Sequence, residues 1–323
     1  MGQQSRRGRA GARLAGWLAA RQGAGMWWKT PPRDVAVSLF ARLPAALAAP
    51  RRSAWADVNR AGMEIGSFLE GPCFDAGGAF YLTDIPHGRV FRLEGPNRWH
   101  VLAEYDGWPN GLALSNSGDL LVADYRHGLL RLDPATGAIA PLLETALTEG
   151  FRGLNDVIVD AQGAALFTDQ GQTGLTDPTG RVFRLHADGR LDRLINNGPS
   201  PNGLVLNRAG THLYVAMTRA CEVWRLPLRA DAMVAKANCF ARVPAGTSGP
   251  DGMAVDAHDR LFVCNPGHGV VWGFNAQGVP VLALDCTEFG RHPTNCCFAP
   301  DGTTLLITES GTGSVLAATI PPP

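Results

Sequence analysis

The strongest restriction on the fold is a pattern that recurs six times along the 323-residue chain. From Phe68 onward six segments superimpose: Glu70-Gly-Pro-Cys-Phe-Asp75, Asn110-Gly-Leu-Ala-Leu-Ser115, Asn155-Asp-Val-Ile-Val-Asp160, Asn202-Gly-Leu-Val-Leu-Asn207, Asp251-Gly-Met-Ala-Val-Asp256 and Asn295-Cys-Cys-Phe-Ala-Pro300. Each opens on a carboxylate or an amide, runs through a few apolar residues and ends in a turn rich in Gly, Asp, Asn and Ser. A β-rich run follows, such as Phe80-Tyr-Leu-Thr83 or Arg260-Leu-Phe-Val-Cys264, then a third, such as Arg89-Val-Phe-Arg-Leu93 or Arg181-Val-Phe-Arg-Leu185. A weaker fourth run is visible in Trp99-His-Val-Leu-Ala103. The leading residues are 40, 45, 47, 49 and 44 positions apart. Units of this length with four short strands describe a propeller blade. One blade cannot bury both faces of its sheet; a closed ring buries each face on a neighbour and leaves few free edges. The runs are short, rich in Val, Leu and Phe, and cut by Gly-containing turns, which disfavours a helical repeat. The expected fold is therefore all-β: a six-bladed β-propeller with four-stranded blades over residues 51–323, behind a short N-terminal extension.

Residues 1–50 are expected to be a basic, flexible extension carrying one short helix. Residues 1–33 hold seven basic residues and no acidic one, so the rest carries 22 basic against 29 acidic residues. Leu14–Ala20 is too short, and too soon interrupted by Arg21, for a signal or transit peptide. The tail is instead expected to be disordered, or to precede a start at Met26. Val35–Leu43 has helix-like apolar spacing and Pro44 should end it, giving a short helix on the outside of the domain. The whole chain is neutral, with 29 basic and 29 acidic residues, which argues against a nucleic-acid partner. No apolar run approaches a membrane span. Seven cysteines, an odd number without a CxxC pair, read as reduced core residues and predict a cytoplasmic protein. Nothing in the sequence speaks to oligomeric state.

Innermost strands line the axis of a propeller, so the six leading residues should ring one mouth of the channel: Glu70, Asn110, Asn155, Asn202, Asp251 and Asn295. A single Asn or Asp before a strand is ordinarily a turn cap. Six oxygen-bearing side chains at one repeat position suit a hard divalent cation, which takes about six to eight oxygen ligands. Two carboxylates balance its charge, and the absence of His and Cys disfavours zinc or copper. Calcium is the expected ion, with magnesium, manganese or zinc as substitutes able to support activity. A second ring lies fourteen residues on: Asp84, Asp124, Asp169, Ala216, Asn265 and Glu309. These residues are expected to cap turns, or alternatively to orient the amides of the first ring. Loops at the same mouth make Trp108, Arg152, Arg219, His268 and His292 candidates for touching a substrate.

Taken together, Phe68-Leu-Glu70-Gly-Pro, Asn155-Asp156, Ser200-Pro-Asn202-Gly-Leu, Gly249-Pro-Asp251-Gly-Met and Pro293-Thr-Asn295-Cys resemble the senescence marker protein/gluconolactonase (regucalcin-like) family of six-bladed propellers, over about Trp55–Pro321. The resemblance implies a divalent ion, usually Ca²⁺, held by Glu70, Asn202 and Asp251, with Asn155 on the metal or facing the substrate. It implies hydrolysis of sugar lactones, or of organophosphates in related propellers. Phe151-Arg152-Gly153-Leu154 departs from the arginine placement of the sugar-lactonase branch. The expected function is thus a metal-dependent lactonase acting on a small-molecule lactone. The ion polarises the carbonyl, Asp251 acts as general base or as nucleophile, Glu70, Asn155, Asn202 and Asp251 hold the metal, and Asn110, Asn295, Arg152 and His292 bind substrate. Two alternatives stand beside it. A phosphotriester hydrolase would use the same metal site, and a substrate panel separates the two. A non-catalytic, calcium-binding scaffold is the other: binding a partner needs no carboxylates on the axis, and an exposed apolar patch on the opposite face would favour it.

Overall fold

The computed structural model of the protein describes residues 30–229 and 233–323. The basic tail at 1–29, and the expectations of disorder or of a start at Met26, lie outside the described residues. Six antiparallel sheets follow one another along the chain, and in the first five the four strands run from the axis outward in sequence order. Blade 1 is Leu69–Phe74, Phe80–Asp84, Arg89–Leu93 and Trp99–Glu104; blade 2 is Pro109–Leu114, Leu120–Asp124, Gly128–Leu132 and Ile139–Leu143. Blade 3 is Leu154–Val159, Ala165–Asp169, Gly180–Leu185 and Leu191–Gly198; blade 4 is Pro201–Leu206, His212–Met217, Glu222–Pro227 and Asn238–Arg242. Blade 5 is Met253–Val255, Leu261–Asn265, Val270–Phe274 and Pro280–Asp285, extended by a parallel two-residue strand, Arg33–Asp34. Blade 6 takes Pro293–Phe298, Thr304–Glu309 and Ser314–Thr319 from the C-terminal end, and its outer strand, Ser38–Arg42, from the N-terminal side.

That outer strand corrects the helix expected over Val35–Leu43. Val35, Val37, Ala41 and Leu43 are the more buried positions, a period of two on either side of a register shift between Leu39 and Ala41. A bulge in a strand shifts its inward face by one residue and so mimics helical spacing. The consequence is architectural. The two ends of the described chain meet in one sheet, and the strands at Arg33–Asp34 and Ser38–Arg42 lie within the 1–50 segment expected to be an extension. The short helix lies later, at Ala54–Asn59, where the Ser53 hydroxyl accepts the Ala56 N–H at 3.1 Å as N-cap.

The core is distributed between blades. Six apolar clusters form among the described residues, one at each junction. Phe80, Phe91 and Leu69 pack with Leu306 and Val315 between blades 1 and 6. Phe167 and Leu154 pack with Ala123 and Leu129 between blades 3 and 2. Burying each such side chain is worth about 1.5–3 kcal/mol, and no blade can collect that contribution alone. Threonine hydroxyls fasten neighbouring blades near the axis. Thr83 donates to the Asn110 carbonyl (2.7 Å), Thr168 to Asn202 (2.8 Å), Thr218 to Pro250 (2.8 Å) and Thr294 to Leu69 (2.8 Å). The first strand of a blade is thus held in depth by the blade beside it, which fixes the height of the polar residues it carries. No helix among the described residues is long and apolar enough to cross a membrane.

Candidate active site at one mouth of the channel

Five of the six innermost strands start with an irregularity, blade 5 being the exception. In blade 1 Leu69 pairs with Asp84 and Cys73 with Tyr81, so four steps on one strand meet three on the other. Register shifts recur at Pro109/Leu112, Leu154/Val157, Pro201/Leu204 and Pro293/Asn295. Such bulges re-aim a side chain beside a functional centre. Here the residue after the first pair of five strands, Glu70, Asn110, Asn155, Asn202 and Thr294, faces a cavity of about 370 Å³ at the mouth, joined by Asp251 just before the blade 5 strand.

Five of the six ring positions therefore meet as the repeat predicts, and Asn295 does not. The sixth is Thr294, and Asn295 stands one residue deeper, on a separate cavity of about 250 Å³ opening from the far side of the channel. The second ring shows the same slip in blade 4, where the partner of Pro201 is Met217 rather than Ala216. The cause is a turn one residue longer in blades 4 and 6. Leu206 pairs with Leu213 and Phe298 with Leu305, whereas Phe74 pairs with Phe80. A constant spacing of fourteen misplaces one ring or the other in those two blades.

The second ring consists of loop anchors. Asp84 accepts the Phe68 N–H (2.8 Å) and pairs with Arg89; Asp169 accepts the Arg152 and Gly153 N–H groups (2.7 and 2.9 Å) and bonds Arg181. Asp124 accepts the Arg126 and His127 N–H groups, and Glu309 those of His292 and Thr312. Orientation of a mouth amide comes from a neighbour instead. Asn155 donates to the Gln170 side chain at 3.0 Å, and Gln170 donates in turn to Ser200 at 3.0 Å. Ser200 is buried and holds a φ of +66°, a left-handed conformation that costs energy for a non-glycine residue and concentrates at functional sites.

Below the ring the chain is mostly glycine: Gly71, Gly111, Asp156, Gly203, Gly252 and Asn295. A Cβ on Gly203 would stand 2.4 Å from the Asp251 carbonyl oxygen, and one on Gly252 2.1 Å from the Asn295 side chain. Glycine lets the strands close on the axis, and the space left is filled by Asp156 and Asn295, both 7% exposed. Gly203→Ala should therefore destabilise the fold by about 1–3 kcal/mol and displace Asp251. Urea unfolding measures the first effect and kcat/KM the second. Gly150→Ala, where an added Cβ meets nothing within 4 Å, should change neither.

The electrostatics of the floor are unusual. Burial, then the charges of Asp251 and Asp156, hold the Glu70 carboxyl well above the ordinary carboxylate range. Burial pushes Asp156 up to about 7. Burial and the Asp156 charge push Asp251 up to about 8, opposed by a hydrogen bond from Asn202 and by the more remote Arg219 charge. The Asn295 amide bonds toward both Glu70 and Asp156 and eases each. Three mutually repelling carboxylates thus share a low-dielectric pit with no cationic side chain in contact among the described residues. A hard divalent cation fits this donor set: two carboxylates at the rim of the pit, amide oxygens from Asn155 and Asn202, and a third carboxylate beneath. No group of three or more His, Cys, Asp or Glu among the described residues is placed to hold a metal unaided, so any such site depends on the amides.

The walls are apolar and basic. Trp108 and Tyr125 form one, with ring centroids 5.5 Å apart. On the neighbouring blade, Trp55 from the Ala54–Asn59 helix packs on Phe68 (5.1 Å), and the Arg60 guanidinium lies over both rings at 5.9 and 5.5 Å. Arg219, Gln170, Gln172 and His292 also line the cavity. Arg152 and His268 are not part of it. The Arg152 backbone is tied to Asp169, and His268 bonds the Ala245 carbonyl at 2.9 Å. The wall carrying Trp55 and Arg60 has no counterpart in the repeat and so gives no sequence signal. Asp156 had one, as the second residue of the Asn155-Asp156 pair, but its depth became visible only with the register.

Residues 68–311 match the family described as the SMP-30/Gluconolactonase/LRE-like region. Among curated proteins the chain is 28% identical over 296 residues to a gluconolactonase of Zymomonas mobilis, covering 81% of this chain and 82% of that protein. It is 27% identical over 283 residues to lactonase drp35 of Staphylococcus aureus, covering 81% and 84%. Solved structures of the same fold include a gluconolactonase from Xanthomonas campestris (TM-score 0.70, 22% identity, covering 92% of this chain and 99% of that one). Another is regucalcin, a calcium-binding protein of Agrobacterium tumefaciens (TM-score 0.69, 21% identity, covering 90% and 96%). With the family's region spanning five and a half blades and its motifs meeting at one mouth, the chain belongs to the SMP-30/gluconolactonase family.

Proposed function

We propose that this protein is a metal-dependent lactonase that opens the ring of a small-molecule lactone at the mouth of the channel. The observation that carries the proposal is the meeting of Glu70, Asn155, Asn202 and Asp251 on one cavity, where the carboxylates have no cationic side chain against them among the described residues. The relatives named gluconolactonase and lactonase support the substrate class, and the regucalcin likeness agrees with calcium. When bound by these four residues, a divalent cation supplies Lewis-acid polarisation of the lactone carbonyl. Asp251, at the edge of the pit, accepts a proton from the attacking water. Asn202 bonds Asp251, which orients the carboxyl and favours its ionised form against the upward push of burial. Glu70 contributes ligand charge, and Asn155, held by Gln170, presents its oxygen. Asn110 and His292 face the cavity and contact substrate, and Trp108 with Tyr125 offers an apolar wall to the ring carbons. The seven cysteines are free thiols, which suits a reducing, cytoplasmic setting.

The test is to strip the protein with a chelator and assay a lactone panel, with a phosphotriester included, as each metal is restored. Lactone hydrolysis should vanish with the metal and return most fully with calcium. Hydrolysis that persists in chelator would remove the metal from the reading, and turnover of the phosphotriester alone would replace the lactone.

A further inference from the structure

Two arginines line the mouth, and neither has a carboxylate within ion-pair distance among the described residues. Arg219 follows the second strand of blade 4, and Arg60 ends the helix beside blade 1, on the opposite side of the axis. Three other arginines that pack near this face are neutralised. Arg89 pairs with Asp84, Arg181 with Asp169, and Arg126 with Asp106. The reason Arg219 differs is legible in the repeat. Its positional equivalent in blade 2 is Arg126, two residues after Asp124. In blade 4 the carboxylate of the second ring is replaced by Met217, and the position of Asp106 is held by Gly198. Arg219 is thereby left exposed on the cavity, close enough for its charge to act on Asp251. Arg60 is fixed differently. Its guanidinium rests on Trp55 and Phe68, an arrangement that orients the cation at little cost and leaves its N–H groups for a ligand. The site is thus polarised in depth, with carboxylates at the floor and unpaired cations on the walls.

We propose that the mouth selects lactones carrying an anionic group, a carboxylate or a phosphate, remote from the ester, and that Arg219 binds this group with Arg60 assisting from the opposite wall. The inference rests on the lactonase reading for the chemistry but not for the anion site. A neutral ring ester would sit over the carboxylate floor while its anionic tail reaches a guanidinium, which matches carboxylate and phosphate oxygens with paired N–H donors. An exposed arginine that served only solubility would make no distinction between charged and neutral substrates.

Matched pairs test the proposal on the calcium-loaded full chain. Glucono-1,5-lactone is compared with its 6-phosphate for the phosphate arm, and glucono-1,4-lactone with glucaro-1,4-lactone for the carboxylate arm. The charged member of at least one pair should have a KM about tenfold lower, with the advantage shrinking as sodium chloride is raised. Arg219→Gln should reduce that advantage about tenfold relative to the neutral twin. Arg219→Lys should retain part of it, and Arg60→Gln should cost less than Arg219→Gln. Equal KM values for both members of both pairs, or an Arg219→Gln loss identical on charged and neutral substrates, would overturn the assignment. If no lactone is turned over with any metal, the lactonase reading fails and binding decides the anion site. Calorimetric binding of glucose 6-phosphate but not glucose, abolished in Arg219→Gln, upholds it; equal or absent binding of the two sugars rejects it.

Discussion

Asp251→Asn should reduce kcat/KM for lactone hydrolysis by about 10³-fold while making the metal-free protein more stable. The two effects have one origin. Asp251 shares its pit with Glu70 and Asp156, and burial together with the Asp156 charge pushes it up to about 8. Asparagine is nearly the same shape, keeps an oxygen toward the ion and removes a repelling charge, so the fold gains what the chemistry loses. The same substitution removes the proton acceptor for the attacking water. Glu70→Gln separates ligand from base. It should weaken metal binding, measured by calorimetry, and recover much of its kcat once the metal is saturating. Asp251→Asn should remain inactive at saturating metal. Near wild-type turnover by Asp251→Asn at saturating metal would move the base to another residue, Asp156 being the next carboxylate in the pit.

The repeat made the fold and most of the floor readable because both depend on spacing. Strands recur at fixed intervals, and a residue that opens an inner strand must face the axis, so Glu70, Asn110, Asn155, Asn202 and Asp251 could be placed together from their positions alone. The failures arise where chain length, not residue type, controls position. One extra turn residue in blades 4 and 6 exchanges Asn295 for Thr294 and Ala216 for Met217. One bulge between Leu39 and Ala41 made a closing strand look helical. The wall built by Trp55, Phe68 and Arg60 was hidden for another reason. It comes from a segment outside the repeat, whose place depends on tertiary packing, such as the Trp55–Phe68 ring contact, and not on any local pattern. The meaning of Arg219 emerges only by comparison between blades, through the carboxylates that blade 4 lacks.

In the metal-free protein the melting temperature should fall as pH rises from about 4 to about 8, and calcium should cancel that fall. Glu70, Asp156 and Asp251 all hold their protons more tightly folded than unfolded, chiefly through burial, with Asp156 near 7 and Asp251 near 8. Between the ordinary carboxylate pKa of about 4 and these raised values, the folded chain carries more protons than the unfolded one. Unfolding then releases protons, and stability declines with increasing pH. The favourable contribution is complete below the unfolded pKa and spent once pH passes the folded one. Calcium binds the ionised form, so its affinity should climb over the same interval as it displaces those protons. At a calcium concentration 100 times Kd the ion stabilises the fold by about 2.7 kcal/mol, which corresponds to a rise of about 5 °C or more. Thermal melts at pH 5 and pH 8, with chelator and with calcium, should therefore show a small calcium shift at the lower pH and a large one at the higher. Asp156→Asn should flatten the pH dependence of the metal-free protein without changing a mouth residue. A calcium shift equal at both pH values, or a metal-free melting temperature that rises toward pH 8, would mean that the three carboxylates do not share one ion-binding pit.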